Sequence, residues 1–293
     1  MSKKQNMILV PIDFTEQSLI ALREAENLAK TSQAELTLLS IIEESGFFAR
    51  VFGDKSEEEV EKLIKGTKLK LQEIAARSMT RTGNDVNVLV SRGKVYQKIV
   101  EFSESIDADY IVMGTQGQPK TMKRIMGSNA NRVIRTSKIP VITIKGQEHK
   151  HCDTIVLPLD LEKETKEKVS NAIEFARIFN AKVKVVSIIK TSMDEDETKT
   201  LKNNLHQVYK FMASKGVDVD GDLLFKDKSA KINEEILQYA SDCNADLIMI
   251  MTQQEDEFTP HFLGSAAQNI IYNSKVPVMS IRPKVTNFAY DLP

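Results

Sequence analysis

The chain has 293 residues, of which 41% are hydrophobic and 28% charged, and this composition indicates a folded globular protein of about two domains and excludes a disordered one. Its 40 basic and 41 acidic residues leave a formal net charge of −1, so no chain-wide positive field exists to hold nucleic acid. No apolar run approaches the roughly 18 residues of a membrane span, and the start of the chain lacks the pattern of a signal peptide. Two cysteines cannot form a disulfide framework. We therefore expect a cytoplasmic protein with neither a nucleic-acid nor a membrane partner.

Strand and helix patterns alternate along the first half of the chain. The predicted strands are Met7–Pro11, Glu35–Ile42, Asp85–Val90, Tyr110–Met113 and Val141–Ile144, and the predicted helices are Glu16–Lys30, Ser56–Met79, Val95–Ser105 and Ser128–Arg135. In the second helix, apolar residues from Val60 to Ala75 recur at the 3.6-residue period, which predicts one buried stripe. Such alternation predicts an α/β fold, with a parallel sheet covered by helices on both faces, and leaves the strand order open.

The second half of the chain repeats the first. Val10-Pro11-Ile12-Asp13 recurs as Leu157-Pro158-Leu159-Asp160, at an offset of 147 residues. Further along, Gly127-Ser128 recurs as Gly264-Ser265, at an offset of 137 residues. The second copy is therefore about ten residues shorter than the first, and the deletion lies after Ile189.

A polar stretch separates the two copies. Gly146-Gln147-Glu148-His149-Lys150 has the composition of a linker. The repeat and the linker together predict two domains, residues 1–148 and residues 149–293.

Glycines cluster after the fourth predicted strand, in a chain with 12 glycines in total. Gly114 and Gly117 are followed, after nine residues, by Gly127-Ser128 at the start of a predicted helix. Bare backbone, the helix N-terminus and the Ser128 hydroxyl are suited to phosphate, but a tight turn with a serine helix cap explains the same residues equally well. A Walker A loop is excluded because Pro119 stands where that motif needs its second glycine, and no Gly-x-Gly-x-x-Gly follows the first strand.

Asp13 lies directly after the first predicted strand. Its carboxylate can accept hydrogen bonds from ribose hydroxyls. The alternative is a helix cap, because Asp13 and Glu16 have the spacing of a capping box, and from the residues alone this alternative is favoured.

Taken together, these motifs resemble the universal stress protein family. The resemblance rests on Val10–Asp13, on Gly114-x2-Gly117-x9-Gly127-Ser128, which matches the family's ATP-binding signature, and on Ile139-Pro140-Val141. It covers nearly all of residues 1–148 and, more loosely, residues 149–293. It implies two tandem domains, each with an open five-stranded parallel sheet of strand order 3-2-1-4-5, in which strands one and four form a topological switch point.

The resemblance also implies which residues hold ATP in the first half. Asp13 would bind ribose, the backbone at Ile41 would flank adenine, and the glycine loop would line ribose and phosphates, with Mg²⁺ as a candidate companion of the phosphates. The implied binding residues are Pro11, Ile12, Asp13, Ile41, Met113, Gly114, Gly117, Gly127, Ser128 and Asn129. One departure is Gln116, where the family often has a basic residue.

The second half departs further from the ATP-binding motif. Met251 replaces the first glycine, Gln254 replaces the second, and the acidic run Glu255-Asp256-Glu257 follows. Side chains would stand where phosphates need bare backbone, and three carboxylates would repel a triphosphate. We therefore predict that residues 149–293 do not bind ATP in the family's mode.

These features favour an ATP-binding regulatory protein of the stress response that acts on an unknown protein partner. The chain shows no Ser-His-Asp set and no convincing metal-ligand spacing, so we expect little or no hydrolysis. The alternatives are an interaction scaffold that binds no nucleotide and a slow adenine-nucleotide hydrolase. Family members commonly pair two such domains through their fifth strands, so we expect the two halves to pair within the chain, with a homodimer as a further arrangement.

Two other features have alternative explanations. His149, His151 and Cys152 lie close together and contain metal-ligating side chains, but a polar linker explains them better. The extra residues of the first half fall within Glu43–Lys55, and the apolar residues at 47–52 suggest a lid, an inter-domain or subunit contact, or a short helix on the domain's own core.

Overall fold

The structure is a computed structural model of the chain. The residues that it describes are 6–43, 57–115, 127–149, 151–161, 166–190, 194–227, 229–252 and 263–282. The predicted segment at 47–52 and the glycine-loop residues Gln116, Gly117 and Pro119 lie outside the described residues.

The first half alternates strands and helices as the sequence predicts. Its elements are β1 (Met7–Pro11), α1 (Glu16–Ser32), β2 (Glu35–Glu43), α2 (Glu57–Thr82), β3 (Val86–Gly93), α3 (Val95–Ser105), β4 (Tyr110–Gly114), α4 (Ser128–Thr136) and β5 (Val141–Ile144). The predicted bounds differ from these by at most a few residues, because hydrophobic periodicity determines an element's type more sharply than its ends.

The second half repeats this order. Its elements are β6 (Thr154–Pro158), α5 (Lys166–Phe179), β7 (Lys182–Lys190), α6 (Glu195–Ser214), β8 (Val219–Lys226), α7 (Ile232–Asp242), β9 (Leu247–Met251), α8 (Ser265–Asn273) and β10 (Val278–Ile281). Within the described part of the chain, no helix combines the length and the apolar character that a membrane crossing requires.

One ten-stranded sheet runs through both halves, in the order β3-β2-β1-β4-β5-β10-β9-β6-β7-β8. Each half therefore has the strand order 3-2-1-4-5, and the implied fold is confirmed. All neighbouring strands are parallel except β5 and β10, which pair antiparallel with Met279 opposite Ile142. The two halves are thus joined through their fifth strands.

Helices on both faces bury the sheet and link the two halves. On one face, residues of α1 and α5 pack together, and the Phe175 ring of α5 makes an edge contact with Tyr110 of β4, with centroids 5.5 Å apart. On the other face, α3, α4, α7 and α8 cover the sheet through residues such as Ile99 and Ile270. Each apolar layer is continuous across the junction.

The predicted buried stripe of α2 is only partly present. Leu71 and Ala75 are buried, but Leu63 is 40% exposed. At about 1.5 Å per residue, the 26-residue helix is about 39 Å long, which exceeds the strands that it packs on. Its N-terminal half therefore has less of the sheet to cover than the period alone suggests.

Glu26 is a buried carboxylate on α1. Arg81 and Ser78 of α2 both donate hydrogen bonds to it. Hydrogen-bonded pairing of this kind is what permits a charged group in a core, and it ties α1 to α2.

Candidate functional site

The candidate site lies at the switch point that the strand order creates. β1 pairs with β4 on one side, with Leu9 opposite Ile111, and with β2 on the other, with Pro11 opposite Leu39. Because these strands are parallel, their carboxyl ends meet at the same edge of the sheet. The connections after β1 and β4 leave in opposite directions, which opens the crevice where α/β sheets of this type bind ligands.

Asp13 stands at this edge with an exposed side chain. Its Oδ1 accepts hydrogen bonds from the backbone N of Thr15 at 3.0 Å and from the Thr15 hydroxyl at 2.6 Å. Thr15, and not Asp13, is the N-cap of α1, and its hydroxyl accepts from the N–H of Ser18. The capping-box explanation of Asp13 and Glu16 is therefore wrong, because the helix starts two residues later than that spacing requires.

Phe14 causes this difference, and the sequence contains no pattern that marks it. Its φ of 62° lies in the left-handed region, which bulky side chains rarely adopt, and the residue is 38% exposed. The turn at Phe14 separates Asp13 from the helix. Backbone strain of this kind is common beside ligand sites.

Gly114 ends β4 and lies against the first turn of α1. A Cβ atom at this position would stand 3.1 Å from the backbone oxygen of Gln17 and 3.2 Å from its Cβ. The bare backbone of Gly114 thus lets α1 lie close to β4, and a Cβ there would make the backbone at Gln17 shift by a few tenths of an ångström. The sequence predicts that a ligand approaches this glycine, and the structure adds a packing role.

The glycine loop starts and ends at one point. The N–H of Gly127 donates to the carbonyl of Thr115 at 2.8 Å, so residues 116–126 connect two neighbouring backbone positions. The N–H of Thr115 in turn donates to Ile144 of β5 at 3.0 Å. The start of α4 is thereby held against the carboxyl ends of β4 and β5.

Gly127 is the N-cap of α4, and Ser128 is the first helical residue. The serine-cap alternative is therefore wrong, and no side chain among the described residues caps this helix. The N–H groups of its first turn lack intrahelical partners by the geometry of an α-helix, and they coincide with the positive end of the helix dipole. This end of α4 can accept an anionic group.

The other sequence-predicted residues lie at the same edge or outside the described residues. Ile12 and Met113 are buried, with 2% and 7% exposure. Ile41 lies near the end of β2, on the far side of β1 from Met113. Asn129 is in the first turn of α4. Gly117 falls outside the described residues, so its place in the site stays a prediction.

The second half has a lysine at the equivalent edge. Lys168 of α5 donates from Nζ to the carbonyl of Pro158, at the end of β6, at 2.8 Å. Burial lowers the pKa of Lys168 to about 8, although the charge of Asp160 opposes the shift. At an offset of 147 the first half has Ala21 at this position. The second crevice thus contains a built-in cation, which no sequence motif indicated.

The linker histidine is bound to the first half. The backbone N–H of His149 donates to Glu24 at 2.8 Å, the side chain of Asn27 donates to the His149 carbonyl, and Nδ1 lies 3.7 Å from the Glu24 carboxylate. The metal-site explanation of His149, His151 and Cys152 receives no support from the described residues, where no group of three such ligands occurs.

We expect the His149 side chain to stabilise the fold only at low pH. Glu24 raises the pKa of His149 against the effect of burial, and Asp246 acts in the same direction. A raised pKa stabilises the folded state fully below the unfolded value and less as pH rises through the folded value. His149→Gln should therefore cost about 1 kcal/mol in urea unfolding at pH 5.5 and nothing at pH 9. A cost independent of pH would contradict this account.

Three comparisons identify proteins similar to this chain. The model of the Universal stress protein family matches residues 6–145 and again residues 151–282. Universal stress protein MJ0577 of Methanocaldococcus jannaschii is 30% identical over 159 residues, covering 50% of this chain and 98% of that protein. Universal stress protein MJ0531 of the same organism is 30% identical over 138 residues, covering 47% and 81%.

A solved structure extends the similarity to the whole chain. A universal stress protein from Archaeoglobus fulgidus superposes with a TM-score of 0.73 and covers 96% of this chain and 97% of its own. Its sequence identity is 20%, so this likeness concerns the fold.

Proposed function

The chain belongs to the universal stress protein family, and on that premise we propose that it is an ATP-binding regulatory protein of the stress response, with the nucleotide in its N-terminal half. The observation that carries the proposal is the bond between Gly127 and Thr115, which holds the uncapped start of α4 at the same sheet edge as Asp13. A carboxylate for ribose and a helix N-terminus for phosphate thus face one switch point.

In this proposal the protein binds the nucleotide mainly through backbone. Asp13 accepts from the ribose hydroxyls, the backbone at Pro11, Ile12 and Ile41 flanks the base and sugar, and the loop with α4 takes the phosphates. The remaining binding residues are Met113, Gly114, Gly117, Gly127, Ser128 and Asn129. Mg²⁺ would be ligated by phosphate oxygens, since it is usually held by substrate phosphates with few protein ligands.

We propose from the same arrangement that ATP is bound with little hydrolysis. Asp13 follows β1 at this edge, and Thr15 already occupies its Oδ1. Phosphoryl transfer needs a group that orients the attacking water and cations that stabilise the transition state. Binding without efficient hydrolysis fits a protein whose partner recognises whether the nucleotide site is occupied.

We propose further that the chain divides at residues 148 and 149 and that the second half does not bind ATP in this way. Met251 brings a side chain to the end of β9, where the first half has Gly114. Lys168 is bonded to the end of β6, and the first half has Ala21 at the equivalent position. The second half is left to pair with the first through β10.

The test is a titration of the full chain with ATP. We expect micromolar to millimolar affinity for wild type and a loss of at least about tenfold for each of two variants. Asp13→Ala removes a charged hydrogen-bond acceptor for ribose, and Gly117→Val adds a side chain where the phosphates would bind. Asp160→Ala, the matched change in the second half, should leave the affinity unchanged.

Each contrary result selects another function. Wild type without measurable affinity would support the nucleotide-free scaffold. Release of pyrophosphate during the titration would support the adenine-nucleotide hydrolase instead.

A further inference from the structure

Two cations make reciprocal contacts across the junction of the halves. Arg282 directly follows β10, and its Nη1 donates to the carbonyl of Thr136, at the end of α4, at 3.2 Å. Lys145 directly follows β5, and its Nζ donates to the carbonyl of Tyr272, near the end of α8, at 2.6 Å. The offset of 137 that relates the glycine motifs also relates Lys145 to Arg282. Each half thus holds the last helix of the other.

The Arg282 contact acts on the helix whose start forms the proposed phosphate site. α4 has nine residues and is about 13 Å long, so its two ends move together. A cation at the C-terminus of a helix is bound favourably by the unpaired carbonyls and the negative end of the dipole. Arg282 at one end and the Thr115 carbonyl at the other therefore determine the position and orientation of α4.

A second set of hydrogen bonds links the base of the glycine loop to the second half. Thr115 donates to the carbonyl of Ile144 at the end of β5, and the Thr143 hydroxyl donates to the carbonyl of Val278 in β10 at 3.2 Å. The base of the glycine loop is therefore bonded to β5, and β5 to the second half. The position of the phosphate site depends on both halves.

We infer that Arg282 is a positioning residue for the nucleotide site of the N-terminal half, so that the half without its own ATP motif completes the site of the other. This inference rests on the proposed function. Arg282 does not contact the nucleotide; it orients the N–H groups of α4 toward the phosphates through the far end of the helix. Its effect must therefore grow with the number of phosphates on the ligand.

The experiment compares ATP and adenosine binding by wild type, Arg282→Ala and Lys145→Ala. We expect Arg282→Ala to weaken ATP binding about three- to tenfold and to leave adenosine binding unchanged, because adenosine lacks the phosphates that α4 would bind. Lys145→Ala removes the equivalent bond at the same junction but acts on α8, so ATP affinity should stay within about twofold of wild type. Arg282→Lys, which keeps a cation, should recover part of the loss.

Thermal unfolding of each variant is measured in parallel, and Arg282→Gln replaces the alanine variant if the latter is not folded. Unchanged ATP affinity in a folded Arg282 variant would overturn the inference, as would an equal loss for ATP and adenosine or an equal loss in Lys145→Ala. Wild type that fails to bind ATP would overturn the proposed function itself, which is a separate result.

Discussion

Gly221→Ala is expected to abolish the native packing of β8 and to lower the free energy of unfolding by about 4 kcal/mol or more. Gly221 has a φ of 156° and pairs with Val185 in the β7–β8 ladder. An added Cβ would stand 1.8 Å from the carbonyl oxygen of Val185, well inside van der Waals contact, so the two strands must separate. Urea unfolding of the variant, followed by circular dichroism, measures the loss.

A matched substitution in the same chain should have the opposite sign. Gly66 lies inside α2, and a Cβ there meets no atom within 4 Å among the described residues. Gly66→Ala should therefore stabilise the protein by about 0.5–1 kcal/mol through helix propensity. A Gly221→Ala variant as stable as wild type would show that β8 does not pair with β7 in this register.

Lys168→Met is expected to raise the free energy of unfolding by about 2 kcal/mol near pH 7, although it removes a charged hydrogen bond. Burial of the ammonium lowers its pKa to about 8, which means that the folded protein pays for holding the charge. Methionine has a similar length and no charge, so it fills the space without this cost.

The pH dependence identifies the cause. Below pH 8 the lysine is protonated in both states and the cost is fully present. Between pH 8 and the unfolded value near 10.5, the folded state loses its proton first, so wild-type stability rises relative to the variant. The difference between Lys168→Met and wild type should therefore be largest near pH 7 and shrink toward pH 10.5. A difference that grows with pH, or a variant less stable than wild type at pH 7, would contradict the assignment.

Much of the architecture could be predicted because the patterns concerned are local. The alternation of apolar strands with helices of 3.6-residue period predicts the elements, and the recurrence of Val10–Asp13 at Leu157–Asp160 predicts two copies of one fold. The strand order came from the family resemblance, since alternation alone allows several orders.

Predictions at the candidate site were less complete where short spacings allow more than one structure. Asp13 and Glu16 have the spacing of a capping box, and Thr15 and Ser18 have the spacing of a cap by a hydroxyl group. Only the left-handed turn at Phe14 selects Thr15 as the N-cap. The sequence predicts a ligand role for Gly114, and the structure adds a close contact with the backbone at Gln17.

The sequence by itself determined the element types, the duplication and the motif residues, because each depends on neighbours within one helix turn or strand or on direct repetition. Only the tertiary structure decided the burial of Lys168, the reciprocal bonds of Lys145 and Arg282, and the antiparallel junction of β5 with β10. These depend on contacts such as that of Arg282 with Thr136, 146 residues apart in the chain, and no local pattern encodes the distance between such residues.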